Sequence, residues 1–359
     1  MPEVQEVFRM ATQKIRPEPG ALDRQHENQR RQSRRRKAGA LTLVAAIAVV
    51  AVVWIVGIRG GEDTTTPADE SGTVAPGGVS GPFFLDLRTG DKTPLPKAIV
   101  PEGVGAGVEV SYSVSPDGTR IAYNTCHIAR GCSRADEMAV ADIDGSDARS
   151  VRLSEGLDGY APHWSPDGTK IVYQLRNGAS DGLDLGNLFV QDLSSGQTTQ
   201  LTDLELSTAG WWFMSPRFSP DGRNVIFHLA RDSSATTKFD VWSVPVTSGE
   251  PTLVLRNAFF PMVLPDGEEI AFVTPSGVDL SGDRIAITTA DGHGSRRTLV
   301  DANVAIEVPT MSPDGSRVAY SDGGSIYVVD VATGESSKVA DGNYFNAAWL
   351  DNDTLIVAP

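Results

Sequence analysis

Five aspartates recur in one setting. Asp117, Asp167, Asp221, Asp266 and Asp314 each stand between a proline and a glycine, as in "WSPDGTKIVY" from Trp164. A row of like carboxylates invites an acid–base reading, but the flanking residues argue otherwise. Pro116, Pro166, Pro220, Pro265 and Pro313 preset φ for a tight turn. The aspartate caps locally, and Gly118, Gly168, Gly222, Gly267 and Gly315 accept positive φ. The triplet is expected to build turns.

Other chemistry is thinly marked. "GASDG" (Gly178 to Gly182) matches the G-x-S-x-G nucleophile pattern, but it falls in a loop between strand-like runs, without the strand-to-helix turn that chemistry needs. His127, His163, His228 and His293 are scattered one per unit, with no H-x-x-x-H or Cys/His cluster. Of these, His163 lies on an expected innermost strand and is the one placed to face a channel. "DIDGSD" (Asp142 to Asp147) lacks the length and spacing of a calcium loop and reads as chain reversal in a hairpin. No catalytic, cofactor-binding or metal-ligating residue is expected.

The elements that carry these residues repeat. The turn prolines are 50, 54, 45 and 48 residues apart, and a degenerate sixth copy, "WLDNDTLIV", starts at Trp349. Each turn precedes an alternating apolar run such as "RIAY". Between copies lie hairpin-like segments, among them "NLFVQDLSSGQTTQL" and "SIYVVDVATGESSKV". Six turn units and six hairpins make six four-stranded sheets, the pattern of propeller blades. The chain begins with an outer hairpin at Phe83 and ends with an inner pair at Trp349 to Val357. The expected fold is therefore an all-β, six-bladed β-propeller over 81–359. N-terminal outer strands and C-terminal inner strands pair to close it. Pro162, Pro216, Pro261 and Pro309 recur four residues before the turn prolines. That places them on innermost strands, whose free edge tolerates a residue without an N–H.

The Pro-Asp-Gly units resemble the WD40-like propeller repeats of the TolB-type family. Similar repeats occur in the non-catalytic propellers of prolyl oligopeptidase-like enzymes. The resemblance covers roughly residues 81–359 and implies a propeller fold and a periplasmic protein-interaction role. Residues 1–80 show no counterpart of that family's α/β domain, so its partner is not carried over.

Residues 38–58, "AGALTLVAAIAVVAVVWIVGI", hold no charge and suffice for one transmembrane helix, with Trp54 near an interface. "RRQSRRRK" precedes them, which puts residues 1–37 in the cytoplasm and the remainder outside. The rival reading, a cleaved signal peptide, suits neither the length of the apolar run nor the long preceding region. Residues 1–37 carry ten Lys/Arg against five Asp/Glu, with an apolar stripe at Val4, Val7, Phe8, Ala11 and Ile15 marking a short amphipathic helix. Residues 59–80 read as a flexible linker. Residues 60–359 carry 20 Lys/Arg against 41 Asp/Glu, a balance of −21 that disfavours nucleic-acid binding.

Two features suggest contacts. Cys126 and Cys132 flank a loop between the second and third strands of one blade, and an external location permits a disulfide. A free thiol pair or a metal site with His127 are the alternatives. The second-to-third and blade-to-blade connections are long and share one face. Aromatics gather there: Tyr160, Trp211, Trp212, Phe213, Phe259, Phe260, Tyr344 and Phe345. Such a rim suits a protein, peptide or glycan ligand, with Tyr160, Trp211, Trp212, Phe259 and Tyr344 as candidate contacts. Packing between blades is the competing use of the same side chains. The expected function is a membrane-anchored extracytoplasmic binding module, a scaffold or sensor at the cell envelope. One alternative is a propeller lyase or hydrolase acting on an envelope polymer. The other is a transmembrane regulator of a cytoplasmic partner such as a sigma factor, although the head lacks the zinc-type His/Cys motif of anti-sigma regulators.

Overall fold

The two strands nearest the chain ends make one sheet. Strand β1 (Phe83–Asp86) lies between β2 (Lys92–Pro94) and the last strand, Thr354–Ala358, which also pairs with Asn346–Trp349. The register runs antiparallel from Phe83 opposite Val357 to Asp86 opposite Thr354. These coordinates are a computed structural model. It describes residues 81–100, 108–127, 135–151, 157–177, 187–203, 215–230, 239–275, 282–322 and 324–358. The expected span at 38–58, the cytoplasmic head and the linker lie outside the described residues. Among those described, no helix is long and apolar enough to cross a membrane.

The other blades follow in chain order. Blade 1 comprises β3 (Val108–Val114), β4 (Arg120–His127), β5 (Ala135–Asp142) and β6 (Arg149–Ser150). Blade 2 comprises β7 (Leu157–Trp164), β8 (Lys170–Asn177), β9 (Asn187–Asp192) and β10 (Thr198–Gln200). Blade 3 has β11 (Arg217–Phe218), β12 (Asn224–Ala230), β13 (Phe239–Pro245) and β14 (Thr252–Arg256). Blade 4 opens with β15 (Phe259–Val263), β16 (Glu269–Pro275) and β17 (Gly282–Thr289). The long β18 (Arg297–Met311) is its outer strand and then the inner strand of blade 5, which continues with β19 (Arg317–Asp322), β20 (Ser325–Asp330) and β21 (Ser336–Ala340). The terminal pair, β22 (Asn346–Trp349) and β23 (Thr354–Ala358), joins β1 and β2 as blade 6. Six four-stranded blades result, as expected. Blades 4 and 5 form one continuous seven-stranded sheet, because the link between them stays extended within β18.

The second strand of each blade departs from the expected alternation. Ile171, Val172 and Tyr173 are buried in succession, as are Val225, Ile226 and Phe227, and Leu355, Ile356 and Val357. Each blade is covered on both faces by its neighbours, so both sides of the strand need apolar groups.

The Pro-Asp-Gly turns are hydrogen-bonded knots. In blade 1 the Ser115 hydroxyl donates to Asp117 Oδ1 at 2.6 Å and accepts from the Arg120 N–H at 2.9 Å. Asp117 also accepts from the Thr119 N–H and hydroxyl, and the Gly118 N–H donates to the Ser115 carbonyl. The same net recurs around Asp167, Asp221 and Asp314. In blade 4 Leu264 replaces the serine, and among the described residues Asp266 keeps only the bond from the Glu268 N–H. The hairpin around Asp291 builds the same net with Thr289, which the sequence reading did not single out.

This geometry predicts an acid response. The Ser115 and Ser165 hydroxyls first, then the N–H and hydroxyl groups of Thr119 and Thr169, hold Asp117 and Asp167 down at about 2. The folded value lies below an unfolded one of about 3.9. The contribution is therefore complete above about pH 4 and disappears as pH falls through about 2. Replacing both aspartates by asparagine should flatten the fall in melting temperature over that window; an unchanged slope would contradict the assignment.

Blades 1 and 2, and blades 5 and 6, share a latch. The Trp164 indole donates to the Ser113 carbonyl at 3.0 Å, and Trp349 donates to the Thr310 carbonyl at 3.0 Å. The Arg120 guanidinium lies 4.6 Å from the Trp164 ring centroid and donates to the Gly168 carbonyl. Arg317 lies 5.3 Å from the Trp349 centroid and donates to the Asn352 carbonyl.

Candidate functional site

The four recurring inner-strand prolines do more than occupy a free edge. In blades 2, 4 and 5 the inner strand gains one residue on its partner at that point, between Tyr160 and His163, Phe259 and Met262, and Glu307 and Thr310. Ala161, Ser215, Phe260 and Val308, which directly precede the four prolines, have φ of 50°, 40°, 48° and 36°. Proline disfavours the right-handed helical region for the residue before it; in blades 2, 4 and 5 that residue lies in the bulge, and in blade 3 Ser215 lies just before β11. In blades 1 and 6, where Tyr112 and Ala347 stand at the proline position, the inner ladders run without a shift.

A displaced backbone N–H needs an acceptor. Asn124 on β4 accepts from the Ala161 N–H at 3.1 Å, and His228 Nδ1 on β12 accepts from the Phe260 N–H at 3.3 Å. Both acceptors stand four residues into the second strand of the preceding blade, and both are buried. His228 thus has a structural task, surrounded by the rings of Phe239, Phe259 and Phe260.

The bulges set which side chains reach the axis. One residue per blade, immediately before the turn unit's first strand residue, occupies an equivalent place: Ser113, His163, Arg217, Met262, Thr310 and Ala348. All but Met262 line a central cavity of about 370 Å³. Among the described residues its wall contains one histidine, one arginine and no carboxylate. Arg217 Nη2 donates across the axis to the Pro309 carbonyl at 3.1 Å. Arg217 Nε and His163 Nδ1 are shielded from solvent and have no hydrogen-bond partner among the described residues. Burial, with the neighbouring Arg217 charge second, pushes His163 down to about 3. Burial alone lowers Arg217 to about 10, which leaves it cationic at neutral pH.

The remaining expected site residues fall in different places. The backbone of Tyr160 lies in β7 opposite Gln174. Trp211, Trp212 and Phe213 lie outside the described residues, as does "GASDG". Phe259 is not a rim contact: it is 2% exposed, and its ring packs against Phe239 and Phe260. The bulge beside it turns both phenylalanines into the blade 3–blade 4 packing. Tyr344 is half-buried edge-to-face on Phe83, with the Lys92 ammonium near both rings. Cys126 is in β4, as expected for a second strand, whereas Cys132 lies outside the described residues. "DIDGSD" is a turn in which Ser146 bonds to Asp144 and Asp142. Among the described residues, no group of three His, Cys, Asp or Glu side chains is placed to hold a metal ion.

No family model matches the chain. Over 271 residues it is 26% identical to the Tol-Pal system protein TolB of Francisella tularensis subsp. mediasiatica, covering 62% of this chain and 58% of that protein. The chain thus spans less than two thirds of the length of the curated TolB relative it matches. A shorter match, 26% identical over 153 residues, is to dipeptidyl-peptidase 5 of Porphyromonas gingivalis, covering 40% of this chain and 20% of that one. Among solved structures, a putative TolB from Agrobacterium tumefaciens superposes with a TM-score of 0.54 at 17% identity. That match covers 78% of this chain and 98% of the other. A chain of a nidogen/laminin complex gives 0.50 at 13% identity, covering 73% and 93%. Both superpositions concern the fold.

Proposed function

We propose that this TolB-type β-propeller is a binding module of the cell envelope, held outside the membrane by a single span over residues 38–58. The observation that carries the binding reading is the channel wall. Among the described residues it holds no carboxylate, and burial pushes its one histidine, His163, down to about 3. A general base works best with a pKa near the working pH, so His163 makes a poor one. The likeness to a Tol-Pal system protein supports an envelope role for a protein-binding surface. Trp211 and Trp212, on the long connection before β11, are the proposed anchor for a protein or peptide partner, with Tyr160 and Tyr344 on the same rim. A Cys126–Cys132 disulfide would staple the β4–β5 connection on that face.

A second reading, a lyase or hydrolase, draws on the adjacency of His163 and Arg217 on innermost strands. It requires a general base, and among the described wall residues there is no carboxylate to serve as one, while burial lowers His163.

The test uses the full-length protein in membranes, with Cys126 and Cys132 replaced by serine. A membrane-impermeant maleimide should label Ala332→Cys in the exposed blade 5 hairpin and spare Ser33→Cys in the head. Cross-linked capture of envelope protein should fall about tenfold or more in Trp211→Ala/Trp212→Ala, the loss expected of aromatic anchors. Reversed labelling or undiminished capture would overturn the topology or the rim, respectively.

A further inference from the structure

Among the described residues, Arg217 is a charge without a counter-charge. It is the only ionised side chain on the described wall of the central cavity, it stays cationic at neutral pH, and among the described residues its hydrogen bond runs to the Pro309 carbonyl. A cation drawn out of water and left unpaired carries a desolvation penalty unless something neutralises it. The neighbouring positions are built for occupancy rather than filling. The equivalent residues in blades 1, 5 and 6 are Ser113, Thr310 and Ala348, all small, and about 370 Å³ stays open among them. Beside the guanidinium, neutral His163 presents an Nδ1 with no partner.

We propose that the channel is a binding site for a carboxylate, held by the Arg217 guanidinium with His163 as its second polar contact. The planar guanidinium matches the two oxygens of a carboxylate. A phosphate dianion would keep a surplus charge, since no second cation is among the described residues of the wall. This goes beyond the rim reading, and its test does not involve Trp211 or Trp212, so the two can fail separately.

The experiment follows thermal unfolding of the full-length protein with sodium acetate against sodium chloride at equal ionic strength. At about ten times its dissociation constant, acetate should raise the melting temperature by about 3 °C beyond chloride. Arg217→Met should melt about 2 °C higher than the parent without ligand, because an unpaired charge is gone, and should not respond to acetate. Should Arg217→Met fail to fold, Arg217→Lys keeps the charge and loses the two-pronged edge, and its acetate affinity should fall about tenfold. Two further arms distinguish the source: a dipeptide with a free C-terminus against its amide, and glucuronate against glucose. A response to the free dipeptide alone assigns a peptide carboxylate; a response to glucuronate alone assigns a sugar acid. Absence of any acetate effect beyond chloride, or an Arg217→Lys response equal to the parent's, would overturn the proposal.

Discussion

A chain ending at Asp353 should not unfold cooperatively. That truncation removes β23, which sits between β1 and β22 and supplies the only pairing between the two ends of the described fold. Leu355, Ile356 and Val357 are at most 1% exposed, and they pack against blades on both sides. Losing three buried aliphatic side chains costs on the order of 6–15 kcal/mol by large-to-small precedent. The whole margin of a folded domain is about 5–15 kcal/mol. The truncation also leaves β1 and β22 as open edges, the usual template for aggregation. Thermal melts by circular dichroism and gel filtration report both effects. A sharp melt with a monomeric elution profile would show that the ring does not depend on its last strand.

Trp164→Ala should be the most damaging single substitution at a blade interface, at about 3–5 kcal/mol. Trp164 is 2% exposed, donates its only polar hydrogen across the interface to Ser113, and supports the Arg120 guanidinium. Arg120 in turn holds the Gly168 carbonyl, so the two side chains join one turn to the next. They should therefore not act independently. In a double-mutant cycle by chemical denaturation, Arg120→Ala and Trp164→Ala should show a coupling of about 0.5–2 kcal/mol. The Arg317–Trp349 pair gives an internal repeat of the same experiment. Strict additivity at both interfaces would mean that the stacking is incidental.

Much of this architecture is legible in the chain because each Pro-Asp-Gly unit announces itself three times over, in proline, aspartate and glycine. The hydrogen-bonding structure of the turn follows from those residues and the serine before them. The closure follows from having an outer hairpin first and an inner pair last. The inner-strand prolines were legible as edge residues but not as bulges, since the left-handed residues are Ala161, Ser215, Phe260 and Val308 rather than glycine or asparagine. An inserted residue also breaks the two-residue parity used to assign faces. That is why Phe259 reads as a rim aromatic and is found in the core. Arg217 carries no motif at all. Its significance arises from six strands meeting at the axis, where one residue per blade forms a ring that no local window contains. One signal was present: Arg120 and Arg317 each precede a unit bearing Trp164 or Trp349, so comparing successive repeats position by position could have found the latches.

The recurring turns place the first and last strands of the described fold side by side as neighbours. Asp86 and Thr354 are directly opposed in the β1–β23 register, within the reach of a disulfide. With Cys126 and Cys132 replaced by serine, Asp86→Cys/Thr354→Cys should oxidise within one chain. The product should be a faster-migrating species on non-reducing gels that reverts with reductant and melts at higher temperature. Oxidation only between chains, or none under conditions that oxidise a control hairpin pair, would contradict the closed ring.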